Sequence, residues 1–212
     1  MYTLFLSVVF SGISSISFSQ WVYPEADNPG YDENCTTIMV GRLASSDGSV
    51  MTSHSCDGNY RTWLDIIPPA KHEPGTMHPV YWGTLHTEEA WDMSKVTKKG
   101  EIPEAEETFA YLSTAYPCMN EKQLAIGETT IYGRQELRNE EGLFLIEELE
   151  KIALQRCSTA RQAIALMGKL AEEHGYADLA ECLTVADPKE VWHFEIAGDR
   201  KSTRLNSSHV SQ

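Results

Sequence analysis

The chain has 212 residues, 42% of them hydrophobic and 23% charged, a balance that supports a packed core and excludes wholesale disorder. A formal net charge of −14 with no cluster of Lys and Arg excludes the electrostatic footprint of a nucleic-acid binder. The length fits one large domain or two small ones.

Residues 1–19 carry no charge and have an apolar centre followed by small residues, the pattern of a signal peptide, although the usual basic start is missing. The apolar centre is short and Ser-rich for a bilayer span, and no other segment is long enough to cross one, so a secreted or periplasmic protein without stable membrane insertion is expected. Residues 20–34 mix turn formers and acids without periodicity and read as a linker or pro-segment. From Cys35 to Gly41 the chain is β-branched and apolar. It then meets Asp47-Gly48, a tight-turn pair, and can return over Val50 to Ser55 as a hairpin partner. Residues 68–107, rich in Pro, Gly, His and acids, suggest a long irregular excursion over the surface.

A further strand is expected over Leu124 to Glu128. From Leu143 to Gln155 an amphipathic helix is expected, with Leu145, Leu149, Ile152 and Ala153 at helical spacing and Glu147, Glu148, Glu150 and Lys151 around them. A second helix starts at a capping box, Thr159 to Gln162, and ends at Gly175. Strands over Cys182 to Ala186 and Glu190 to Ala197 follow, divided by Asp187-Pro188. The order strands, helices, strands fits an α+β fold with helices layered on a largely antiparallel sheet. Residues 200–212 change composition abruptly, show neither helical nor strand pattern, and resemble read-through of a sequencing adapter. The natural sequence is then expected to end near Asp199, with residues 35–199 forming the amino-terminal part of a longer domain.

The five cysteines, Cys35, Cys56, Cys118, Cys157 and Cys182, form no CxxC pair, which removes zinc-ribbon and thioredoxin-type readings. An odd count in an exported chain leaves a thiol unpaired within it, and catalysis is one reason to keep such a thiol. The histidines show no HxH or HExxH spacing and no phosphate- or dinucleotide-binding glycine pattern occurs, so neither a metal centre nor a cofactor is expected.

Three blocks carry a family resemblance: Cys35-Thr-Thr-Ile-Met-Val-Gly with Asp47-Gly-Ser, then Tyr116-Pro-Cys-Met-Asn-Glu-Lys-Gln-Leu-Ala-Ile-Gly-Glu128, then Ala186-Asp-Pro-Lys-Glu-Val-Trp192. In order and spacing they resemble the C69 dipeptidases, longer proteins of the Ntn-hydrolase superfamily. That resemblance implies a four-layer αββα sandwich, incomplete here, and hydrolysis of short peptides through an acyl-enzyme. It also implies cleavage at Asn34–Cys35, so that Cys35 supplies the thiol nucleophile and its own α-amine the base. With an amine pKa of about 8 and a thiol pKa of about 8.5, modest tuning moves the proton.

The resemblance further assigns Asp57 to holding that amine and Asn120 to donating to the oxyanion, an effect worth about 3 kcal/mol. Read alone, Asp57 is a turn former and Asn120 a loop residue. Where related acylases have an arginine three positions before the aspartate, this chain has His54, which either substitutes as a donor or is an ordinary strand histidine. Glu121 and Glu128 lie in the same blocks without an assigned role, and Glu190 and Trp192 read equally well as strand residues. The alternatives to a dipeptidase are an acylase of the same superfamily, cleaving a non-peptide amide, and a non-catalytic binding relative. Oligomeric state is not readable from the sequence.

Overall fold

The computed structural model describes residues 35–56, 63–84, 94, 96–131, 138–199 and 202–209, with backbone alone for 199 and 202–209. The expected signal peptide, the pro-segment and Asp57 lie outside the described residues.

The chain opens on the hairpin expected from the sequence, β1 (Thr36–Val40) and β2 (Met51–Ser55), paired antiparallel from Thr36↔Ser55 to Val40↔Met51. In its connection Gly48 takes φ 76°, a left-handed value that favours glycine, and Asp47 Oδ1 accepts the Ser49 N–H at 3.0 Å. Next come β3 (Asp65–Ile67), β4 (Ala70–Lys71), β5 (Met77–Trp82), β6 (Thr97–Pro103), β7 (Glu107–Thr108), β8 (Tyr111–Ser113), β9 (Met119–Asn120) and β10 (Ala125–Thr130). The helices α1 (Ile146–Arg156) and α2 (Ala160–His174) follow, then β11 (Ala180–Ala186), β12 (Val191–Asp199) and β13 (Ser202–His209). A seven-stranded antiparallel sheet runs β13-β12-β11-β10-β9-β8-β3, beside the two-stranded pairs β1-β2, β4-β7 and β5-β6. The fold is mixed α and β, mostly sheet with two helices, as an α+β reading requires.

Alternation along the central strands decides what meets what. Ile126, Leu183, Val185, Phe194 and Ile196 are buried with Leu149, Ile152, Leu154, Ala163 and Met167 of the helices in one apolar core. The intervening residues face the hairpin. Thr52 Oγ1 donates to Thr184 Oγ1 at 3.0 Å, and the Thr37 and Thr129 hydroxyls are hydrogen-bonded. Gly127 lets the hairpin approach, because a Cβ there would lie 2.7 Å from His54 Nδ1 and 2.9 Å from Thr184 Oγ1.

Three expectations are corrected. The segment 68–107 is not an irregular excursion where it is described: β5 and β6 pair along their length and bury Val80 and Ile102. Pro79 is tolerated because each strand of a two-stranded ribbon has an open side on which a missing N–H costs no ladder bond. The stretch without strand pattern contains β13, paired with β12 from Trp192↔His209 to Asp199↔Ser202; a backbone ladder forms without apolar alternation. The acids of α1 do not form a solvated face, since Glu147, Glu148 and Glu150 are all buried.

One of those acids belongs to a buried polar staple. His78 Nδ1 lies 2.7 Å from Glu104 Oε2 and its Nε2 3.9 Å from Glu148 Oε2, and Arg156 Nη2 donates to Glu104 Oε1 at 2.9 Å, which ties α1 to the β5–β6 ribbon, while Lys151 pairs with Glu148 within α1. The start of α2 matches its capping signal, with Thr159 Oγ1 accepting the Gln162 N–H, although Gln162 Oε1 reaches back to the Ser158 N–H instead of Thr159. At the other end Gly175 has φ 84°. The buried Asp187 carboxylate, in the β11–β12 turn, accepts the N–H groups of Ala160 at 2.9 Å, Lys189 at 2.8 Å and Glu190 at 3.1 Å. One carboxylate thus shapes the turn and anchors the first residue of α2. Asp187→Ala should lower stability by about 3 kcal/mol, read from urea unfolding, because it strands buried donors.

Candidate active site

Cys35 immediately precedes β1, and Cys56 immediately follows β2. Antiparallel pairing brings the two ends of the hairpin together, and the thiols come within hydrogen-bonding reach of each other. Both are half-buried, and no disulfide links the five cysteines. The side chain of Glu128, on β10, completes a group: the two sulfur atoms and a Glu128 carboxylate oxygen all lie within 4.8 Å of one another.

Glu128 is fully buried. Its Oε1 accepts the Thr130 hydroxyl at 3.0 Å, while Oε2 receives no conventional donor. Glu181 of β11 hydrogen-bonds the same carboxylate; burial first, and then the neighbouring Glu128, pushes Glu181 well above the usual carboxylate range. From α1, fully buried Glu150 is also pushed well up, by burial and then by Glu128 and Glu147, and neither of its oxygens has a hydrogen-bond partner. Glu147 is raised to about 8, chiefly by burial. The thiol of Cys56 is pushed up as well, first by its hydrogen bond to Cys35 and then by burial. Negative charge is therefore costly throughout this region.

His54 sits two positions before Cys56 on β2, its ring against Gly127. Burial lowers its pKa, with Glu128 opposing. It also lines a groove of about 600 Å³ with Met51, Thr52, Cys118, Ile126 and Pro188; neither Cys35 nor Asn120 lines that groove.

Asn120 is bonded to the end of α1. Its Nδ2 donates to Leu154 O at 2.7 Å and Cys157 O at 2.8 Å, and its Oδ1 accepts from Lys122 N at 3.0 Å and Leu124 N at 3.1 Å. Both amide N–H groups are thus given to the carbonyls at the end of α1, which makes Asn120 a structural tie at that helix end. Glu121 is partly exposed beside Lys122, and Glu190 pairs with Arg161, whose guanidinium lies 4.6 Å from the centroid of the Trp192 ring.

The structure thus joins Cys35 and the His54 strand with two groups that had no assigned role, Cys56 and Glu128. Cys56 was legible as the residue following the return strand, facing the start of the hairpin. Glu150 and Glu181 carried no signal, since an acid in a helix or strand pattern is ordinarily solvated.

The model of peptidase family C69 matches residues 34–203. This chain belongs to peptidase family C69. A curated relative from Latilactobacillus sakei, described as a probable dipeptidase, is 28% identical over 179 residues, which cover 76% of this chain and 34% of the relative. The C69 chain therefore spans about a third of the length of that relative. All of the side chains gathered around Cys35 fall within the family match.

Two outcomes follow. Asn120→Ala should cost about 3 kcal/mol in urea unfolding, since it removes buried bonds at the end of α1; a variant that unfolds like the wild type would overturn that structural role. A carboxyl whose folded pKa lies above its unfolded value, here about 8 against 4.5, stabilises fully below the unfolded value and loses that contribution as pH rises through the folded one. Glu147→Gln should therefore be more stable than wild type by about 2–4 kcal/mol at pH 9, with the difference vanishing near pH 5. Urea midpoints across that range measure it.

Proposed function

We propose that this C69 protein is a cysteine-type dipeptidase in which Cys35 attacks the carbonyl of a short peptide. What carries the proposal is the position of Cys35, half-buried at the head of β1 and grouped with Cys56 and Glu128 within the residues matched by the family. Cleavage at Asn34–Cys35 leaves an α-amine on the residue that bears the thiol. The amine takes the thiol proton, the thiolate adds to the carbonyl carbon, and the C–N bond breaks as the leaving amine is protonated. Water then hydrolyses the thioester.

The buried acids support this charge arrangement. A lone thiolate beside Glu128 is disfavoured, whereas a thiolate formed together with an α-ammonium brings its own positive charge. Asp57, one residue after Cys56, is proposed to hold that ammonium. His54 links the reacting end of the hairpin to the groove, whose mostly apolar lining suits a substrate side chain. In the same proposal the β1–β2 hairpin begins the second sheet of a four-layer αββα sandwich, which further chain in a longer protein completes. The apolar, charge-free residues 1–19 support export.

Cys35→Ala in the full-length protein should abolish dipeptide hydrolysis and leave the unfolding curve near that of the wild type. Amino-terminal sequencing of the mature protein should begin at Cys35; a chain starting elsewhere removes the proposed base. Hydrolysis of acyl-amides with no activity on dipeptides would replace the peptidase with an acylase.

A further inference from the structure

The group at the mouth of the hairpin has a property that hydrolysis does not use. Two sulfur atoms and one carboxylate oxygen, from three separate strand ends and strands, converge within 4.8 Å. Nucleophilic attack requires one of those sulfurs. Tetrahedral zinc takes thiolate at about 2.3 Å and carboxylate at about 2.0–2.2 Å, so donors spaced in this way reach one ion with small side-chain rotations. We propose that Cys35 Sγ, Cys56 Sγ and Glu128 form a binding site for a single thiophilic divalent cation of the zinc class.

Three observations beyond proximity support it. The half-buried cysteines leave the group open to an ion and to a solvent molecule in the fourth position. Glu128 is held in place by the Thr130 hydroxyl on Oε1, while no conventional donor reaches its Oε2. Behind Glu128 stand Glu150 and Glu181, two further buried acidic side chains. The charge balance is simple. Each thiol gives up its proton to solvent when its sulfur binds, so two protons leave for each divalent ion that enters, and no oxidant or reductant is needed. The histidine spacing of the sequence did not disclose the site because its donors are two thiols and an acid, distributed over a hairpin and a central strand.

Under the proposed function an ion here would cover the nucleophile, making the bound form inactive and reversible by a chelator. That consequence rests on the hydrolytic role of Cys35, whereas the site itself does not, and the test reads metal directly. The reduced chain is titrated with Cd2+ while the ultraviolet thiolate-to-cadmium charge-transfer band is followed, and Zn2+ is then added as competitor. The band should saturate at one equivalent and be displaced by Zn2+. Cys56→Ser and Glu128→Gln should each weaken binding by at least about tenfold. Cys118→Ser and Cys182→Ser should leave it unchanged. Because a buried substitution such as Glu128→Gln can disturb folding, a cadmium-113 NMR spectrum of the unsubstituted chain supplies a second measure, and its shift should report two thiolate donors. A spectrum with one thiolate or none, binding unaltered by Cys56→Ser, or a band abolished by Cys182→Ser would overturn the proposal.

Discussion

Everything proposed for this chain depends on one close approach, that of the β1–β2 hairpin to the β10–β11 centre of the main sheet. Two threonine pairs hold it there, and Gly127 makes room for the His54 ring. The threonines satisfy each other's hydroxyls at a contact where an apolar pair would only pack, which gives the docking direction as well as affinity. A side chain at position 127 would push His54 outward, and with it the hairpin ends that carry Cys35 and Cys56. The geometry around the thiols is in this sense set by a residue that has no side chain.

Beneath that contact the molecule departs from ordinary economy. Buried acids are costly unless paired, and here Glu128, Glu181, Glu147 and Glu150 converge from two strands and a helix. Nearby Glu148 shows the usual resolution, through Lys151. Burial pushes the pKa of Glu147, Glu150 and Glu181 upward, toward the neutral form. A region of this kind resists a bare thiolate and accepts a cation, whether an ammonium generated on Cys35 itself or an ion bound between the two sulfurs. The same electrostatics thus underlies both the proposed chemistry and the proposed metal site.

Much of the fold was legible because local signals and tertiary structure agree. The Asp47-Gly48 turn, the Thr159 cap, the Gly175 stop and the alternation of Phe194 with Ile196 each have a local cause, and each stands where expected. The family blocks pointed to Cys35 for a related reason, since a thiol at the head of a strand keeps its place whatever the loops do. What was not legible depends on partners distant in sequence. The β5–β6 ribbon was concealed by prolines that a two-stranded edge tolerates. The burial of Glu147 and Glu150 follows from the sheet α1 happens to cover, and the periodicity of α1 alone cannot report it. Asn120 matched a motif, but a motif does not show that both N–H groups of its amide are already engaged at the end of a helix.

The threonine contacts that dock the hairpin join residues 92 and 132 positions apart in the chain. Closing such separations is entropically expensive, and non-local pairings of this kind are characteristic of slow folding. The strands that receive the hairpin lie far downstream, so during synthesis β1 and β2 emerge long before β10 and β11 exist to hold them. Until then Cys35 has no Glu128 beside it and no sheet beneath it. The reactive constellation is therefore a late product of folding, and the order of the elements along the chain delays its assembly until the centre of the sheet is in place.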